Sequence, residues 1–199
     1  ITFGALVSAS LLGSPAVAQT VEFDLFGIQI GDTLEKVEQI AAERGFEPTS
    51  KPFLKGPDFN QAVALRRGDS ADSGTENAVS EARYMRGEDR LTIEFKPWPD
   101  GSSVSRIIYR PRLGSLDDCP GFLEAFEDRY GHGIEYAGDW LDRPTVRING
   151  VEQPEAGTVT ASASCSFSSS AAIYLTYWNA NVVLNDLLDE ADGEMVHDF

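Results

Sequence analysis

The chain has 199 residues, 42% of them hydrophobic, with 32 acidic against 16 basic side chains and a formal charge of −16. Such acidity repels nucleic acid phosphates and anionic lipid headgroups, so it argues against nucleic acid binding and leaves a cationic partner or plain solubility as its use. A chain of this size suits one large domain, or two small halves sharing a core, and buries roughly 70% of its unfolded surface.

Residues 1–18 are apolar, small and uncharged, and close on Ala16-Val17-Ala18, the pattern that signal peptidases cut. They are expected to be a partial signal peptide, with the mature chain starting at Gln19. A bilayer crossing needs roughly 20 apolar residues. This run is shorter and is broken by Gly13, Ser14 and Pro15. Gln19 stands where a lipoprotein would have Cys, so no lipid anchor is implied. The expectation is a periplasmic or extracellular protein with no membrane insertion after cleavage.

A short extended run from Val21 to Phe26 leads through Gly27 and Gly31 to a well-marked helix. Leu34, Val37, Ile40 and Ala41 recur at helical spacing, and Glu35, Lys36, Glu38 and Glu43 take the other side. Asp32 or Thr33 caps its start and Gly45 ends it, because glycine enters the left-handed conformation cheaply. Residues 47–60, with Pro48, Pro52, Gly56 and Pro57, read as a loop, and 62–66 as a short strand. Residues 68–77 are polar and turn-rich. A strand follows near Val79 to Met85; Leu91, Ile93 and Phe95 then alternate with polar residues, and Val104 to Tyr109 returns across a turn at 97–102.

Asp117 or Asp118 starts a second helix, with Pro120 in its first turn and Gly131 as its stop. Cys119, Phe122, Leu123, Phe126 and Tyr130 share one of its faces. In the strand from Val159 to Phe167, alternation puts Cys165 on the apolar side with Val159, Ala161 and Ala163. Packing that helix on that strand brings two thiols together, so a Cys119–Cys165 disulfide is expected in an oxidising compartment. In the last strand Ile173, Leu175 and Tyr177 alternate with Tyr174, Thr176 and Trp178. An acidic tail, 186–199, is expected to be flexible after a helical turn or two. The fold class is therefore α+β, two helices packed on one face of an antiparallel sheet, in one domain over 19–199 or as two tandem halves, 19–112 and 113–185.

The stretch Gly27-Ile-Gln-Ile-Gly31-Asp32-Thr33-Leu-Glu-Lys-Val37, leading to Gly45 and Phe46, resembles the I-x-x-G-M-T-x-x-E-V signature of β-lactamase inhibitor protein-like and SmpA/OmlA-type small envelope proteins. It covers about twenty residues, and Asp32 stands where the signature has Met. The resemblance implies a helix-plus-antiparallel-sheet unit that binds other proteins through its sheet face or loops, with no catalytic residue.

Catalytic material is sparse. Of the two histidines, His132 follows a helix end, where it can satisfy terminal carbonyls, and His197 lies in the tail. No Gly-x-Ser-x-Gly elbow, phosphate loop or zinc-type spacing is present. Asp69, Asp72 and Glu76 can offer oxygens to calcium or simply solvate a loop. With so many acids, some carboxylate pair for glycoside-type hydrolysis must exist. The preferred reading is a monomeric, non-enzymatic protein without cofactor or bound metal that binds a partner protein or cell-envelope component. Its contact residues are Tyr174, Thr176 and Trp178, provided that the loop 47–60 with Phe53 and Phe59 does not cover them, and Trp98 on a stiff turn between two prolines. A periplasmic hydrolase and a calcium-dependent module are the alternatives.

Overall fold

The computed structural model describes residues 23–69, 78–131, 134–138, 143–148, 154–166 and 170–194. The expected leader and Gln19 junction, both histidines, and Asp72 and Glu76 lie outside them. The described chain begins with a ribbon of two short strands, β1 (Asp24–Leu25) and β2 (Ile28–Gln29). Their two-residue turn places Phe26 and Gly27 at positive φ, 61° and 99°, as a primed hairpin turn demands. For Phe26 that conformation is costly. Its ring is held against Phe46 and Tyr109, with centroids 5.2 and 4.9 Å away.

Helix α1 (Leu34–Glu43) is capped by Thr33, whose hydroxyl accepts from the Lys36 N–H. Asp32, the other candidate cap, is buried and ties Gln29 N–H to the Lys36 ammonium. At the far end Gly45 has φ 75°, the Phe46 N–H bonds the Ala41 carbonyl and the Gly45 N–H that of Ala42. This is a Schellman closure, and it returns the chain toward the sheet.

Two brief edge strands follow, β3 (Glu47–Pro48) and β4 (Phe53–Leu54). The next segment corrects the expectation of a strand at 62–66, because Phe59–Arg66 is a helix, α2. Asp58 accepts from the Gln61 N–H while the Gln61 side chain accepts from the Asp58 N–H, a complete capping box ahead of a run of strong helix formers.

The main sheet is antiparallel at every described pairing. Its strands are β5 (Val79–Arg86), β6 (Asp89–Trp98), β7 (Gly101–Arg110), β8 (Ile134–Gly138), β9 (Arg143–Arg147), β10 (Val159–Ser166) and β11 (Ser170–Tyr177). The order is β3-β5-β6-β7-β11-β10-β9-β8, with β4 also on β5. Two meanders thus meet where β7 pairs with β11, Ile107 opposite Leu175 and Arg106 opposite Thr176. The β6–β7 turn is tighter than expected, since Trp98 pairs with Gly101 and only Pro99 and Asp100 lie between.

Between β7 and β8 a 3-10 turn, Leu116–Asp118, leads into helix α3 (Cys119–Tyr130). Val37 and Ala41 of α1 and Phe126 and Tyr130 of α3 share one buried cluster with Leu91, Ile93, Ile107, Ala161, Ala163 and Leu175. The last helix, α4 (Ala180–Glu194), takes up 186–194, which were expected as tail. Its Leu188 is buried with Phe59 and Val63 of α2, and Arg67 bonds Asp192 at 3.1 Å. Where two helices are expected, the described residues hold four α-helices, α1 and α3 in the main core and α2 and α4 in a cluster of their own. Cys119 of α3 and Cys165 of β10 are disulfide-bonded, with Cα atoms 5.9 Å apart. No described helix is long and apolar enough to cross a membrane.

Candidate functional site on the open sheet face

Strand alternation assigns each residue of the central sheet to one of two faces. Leu91, Ile93, Ile107, Ala161, Ala163 and Leu175 enter the core. Of the intervening positions, Arg83, Arg90, Thr92, Glu94, Arg106, Arg110, Ser162, Tyr174 and Thr176 stay exposed or half-exposed, while Ile108, Thr160 and Ala172 are buried among them. That second set forms the open face.

At the β10–β11 end of this face a depression of about 420 Å³ is lined by Arg106, Thr160, Ser162, Tyr174, Thr176, Trp178 and Asn179. Register explains the grouping. Thr160 lies opposite Thr176, Ser162 opposite Tyr174, and Thr176 opposite Arg106. The Thr160 hydroxyl donates to the Thr176 carbonyl, 3.3 Å, which fixes one wall. Trp178 follows the strand but stays clamped, its N–H on the Thr158 carbonyl and its carbonyl accepting from Gly157. Asn179 then takes φ 53° and turns the chain into α4.

Arg106 is the charged group of this depression. Its guanidinium lies 5.3 Å from the Tyr174 ring centroid and 3.7 Å from the Glu94 carboxylate. Its Nε is shut off from solvent with no hydrogen-bond partner among the described residues. A shielded donor left unpaired costs about 1–3 kcal/mol.

Three of the four residues singled out from sequence, Tyr174, Thr176 and Trp178, therefore come together. The loop 47–60 contributes nothing to the lining. Phe53 is exposed under the Arg83 guanidinium, and Phe59 is buried against α4. Trp98 is placed elsewhere. Its ring meets Tyr177 edge-on at 5.6 Å, in a separate groove of about 390 Å³ bounded by Ile30, Val159, Val183 and Leu187. Arg106 is the residue that sequence reasoning missed. Finding it requires the β7–β11 pairing, which joins segments about 70 residues apart and leaves no local signal.

A second depression, about 380 Å³, lies at the other end of β6 and β7 and is lined by Met85, Glu88, Arg90, Arg110, Pro111, Arg112 and Ala171. Its rim is fastened by Asp89, which accepts from the Tyr109 hydroxyl at 2.8 Å and the Arg112 N–H at 3.1 Å. Burial pushes the Tyr109 phenol up to about 12, with the Asp89 carboxylate adding to it. Carboxylates that could face each other as a hydrolytic pair, Glu81 and Glu94 across β5 and β6, are each ion-paired with an arginine, Arg83 and Arg106. Among the described residues no three or more His, Cys, Asp or Glu side chains gather as a metal site. Of the calcium candidates only Asp69 is described.

Comparison with known proteins finds no matching family model, no matching curated protein and no matching solved structure.

Proposed function

We propose that this protein is a binding protein of an oxidising compartment, the periplasm or the cell exterior, that holds a partner protein on its open sheet face. The observation that carries the reading is the Arg106 guanidinium lying over the Tyr174 ring in a depression that Trp178 also lines. Aromatic rings and arginine are the residues that most often anchor interfaces, and here Arg106 and Tyr174 stand on strands with Trp178 clamped directly after one. Arginine holds its proton at any physiological pH, so the group at the centre of the depression is suited to gripping an acceptor, not to exchanging a proton. The disulfide supports the compartment. The turn grammar shared with small envelope proteins at Gly27 to Phe46 points the same way. The protein acts as a monomer in this reading.

Copurification from an envelope extract tests it, with Tyr174→Ala, Trp178→Ala and Trp98→Ala compared with the parent. The partner retained by the parent is expected to be lost from the first two and kept by Trp98→Ala, which lies in the other groove. Equal retention by Tyr174→Ala and Trp178→Ala, with circular dichroism unchanged, would overturn the proposal.

A further inference from the structure

The charge of the open face runs against that of the chain. Of 16 basic residues in the whole sequence, Arg83, Arg90, Arg106, Arg110 and Arg112 lie on or beside it; of 32 acidic ones, Glu81, Glu88, Asp89 and Glu94 accompany them among the described residues. Arg83, Arg106 and Arg112 each have a glutamate partner. Arg90 and Arg110 do not. They lie directly opposite each other across β6 and β7, both exposed, and neither has an ion pair or hydrogen bond with a described side chain. Like charges in facing positions destabilise a sheet. An acidic chain that keeps two unpaired arginines side by side has a place for an anion between them.

Geometry limits what the anion belongs to. Arg106 stands four residues from Arg110 on β7, so their Cα atoms are about 13 Å apart. One phosphate or carboxylate does not reach both. An extended peptide does, because acidic residues four positions apart span the same length. Ile108 lies midway, buried to 6% exposure and opposite Tyr174, and gives the span an apolar floor. The remaining surface is strongly acidic and repels an extended polyanion or an anionic bilayer, whose field acts over a Debye length of about 8–10 Å. A short segment in contact with the arginines escapes that repulsion.

We propose that Arg90, Arg110 and Arg106 seat the carboxylates of an extended acidic segment of a partner protein, with Ile108 and Tyr174 beneath an apolar side chain between them. This rests on the reading of the open face as a protein-binding surface and names the chemistry of its partner.

The test is an NMR titration of the full mature chain, following arginine side-chain N–H signals. The probes are the peptide Glu-Ser-Leu-Ser-Glu, its counterpart with Gln at both ends, phosphatidylglycerol vesicles and a short DNA duplex. The acidic peptide is expected to shift Arg90, Arg106 and Arg110 and to bind about tenfold more weakly to Arg110→Gln, while Lys55→Gln changes nothing. The Gln peptide is expected to bind about tenfold more weakly than the acidic one. Equal binding of the two peptides overturns the acidic-segment assignment while leaving the open face as a protein site. Acidic-peptide binding that is weakened in Arg110→Gln and Tyr174→Ala yet untouched by Trp178→Ala supports the arginine site and removes Trp178 from the function; binding untouched by Tyr174→Ala overturns the seating proposed here. Tighter binding of vesicles or duplex than of the peptide, or no shift with any probe, overturns the proposal.

Discussion

Asp89 carries a disproportionate share of the β6–β7 end of the sheet. Its carboxylate accepts from the Tyr109 hydroxyl, the Arg112 backbone and the Arg86 guanidinium, so one side chain fixes two strands and the segment beyond them. Burial works to raise its pKa, but the three donors and the Arg86 charge outweigh it and hold the group below its ordinary 3.8. A carboxyl depressed by folding contributes stability that is fully present above about pH 4 and is lost as the pH falls through its folded value. Asp89→Asn is therefore expected to lose about 1–3 kcal/mol at neutral pH and to show a shallower loss at about pH 3 than the parent does. Urea midpoints at the two pH values measure both. A variant that matches the parent at neutral pH would show that the three bonds carry no net stability.

The elements were legible where their signals are local and strong. The periodicity of α1, its Thr33 cap and its glycine stop, the alternation of β6, β10 and β11, and the apolar stripe of α3 can all be read directly from residues. The stretch Ala62 to Arg66 is too short for a helical period to show, so local pattern alone reads α2 as a strand. The signal that identifies it, Asp58 with Gln61, lay in what looked like a loop. Strands β8 and β9 leave little local signal because each is only five residues long and β9 contains Pro144. Of the acids that give 186–194 a tail-like composition, Asp189 and Asp192 pair with Arg66 and Arg67 at the end of α2, beside the Leu184, Leu187, Leu188 and Ala191 cluster that packs on α2. Between these elements the disulfide fastens α3 to β10 across 46 residues of chain. On the chain-entropy model it adds about 4 kcal/mol. Reduction with dithiothreitol is expected to lower Tm by about 10 °C in a calorimetric scan. An unchanged Tm with both thiols alkylatable afterwards would show that the link does not stabilise the fold.

At the scale of the whole molecule, the described strands of the two meanders are hydrogen-bonded to each other through β7 and β11, and that pairing creates the site. It brings Arg106 from the first meander against Tyr174 and Thr176 from the second. The aromatic half of the depression was legible in alternation along one strand; the cationic half was not, since no spacing within a strand reveals which distant strand will lie beside it. The β5–β6–β7 meander collects the arginines of the open face, in a chain whose net charge is −16, so the molecule as a whole repels polyanions. The most direct measurement of the central claim is photo-crosslinking in the producing cell, with benzoylphenylalanine placed at Thr176 in the depression or at exposed Val182 on α4. An adduct of higher mass from position 176 and none from 182 is the predicted result. Adducts from 182 alone, or equally from both, would contradict it.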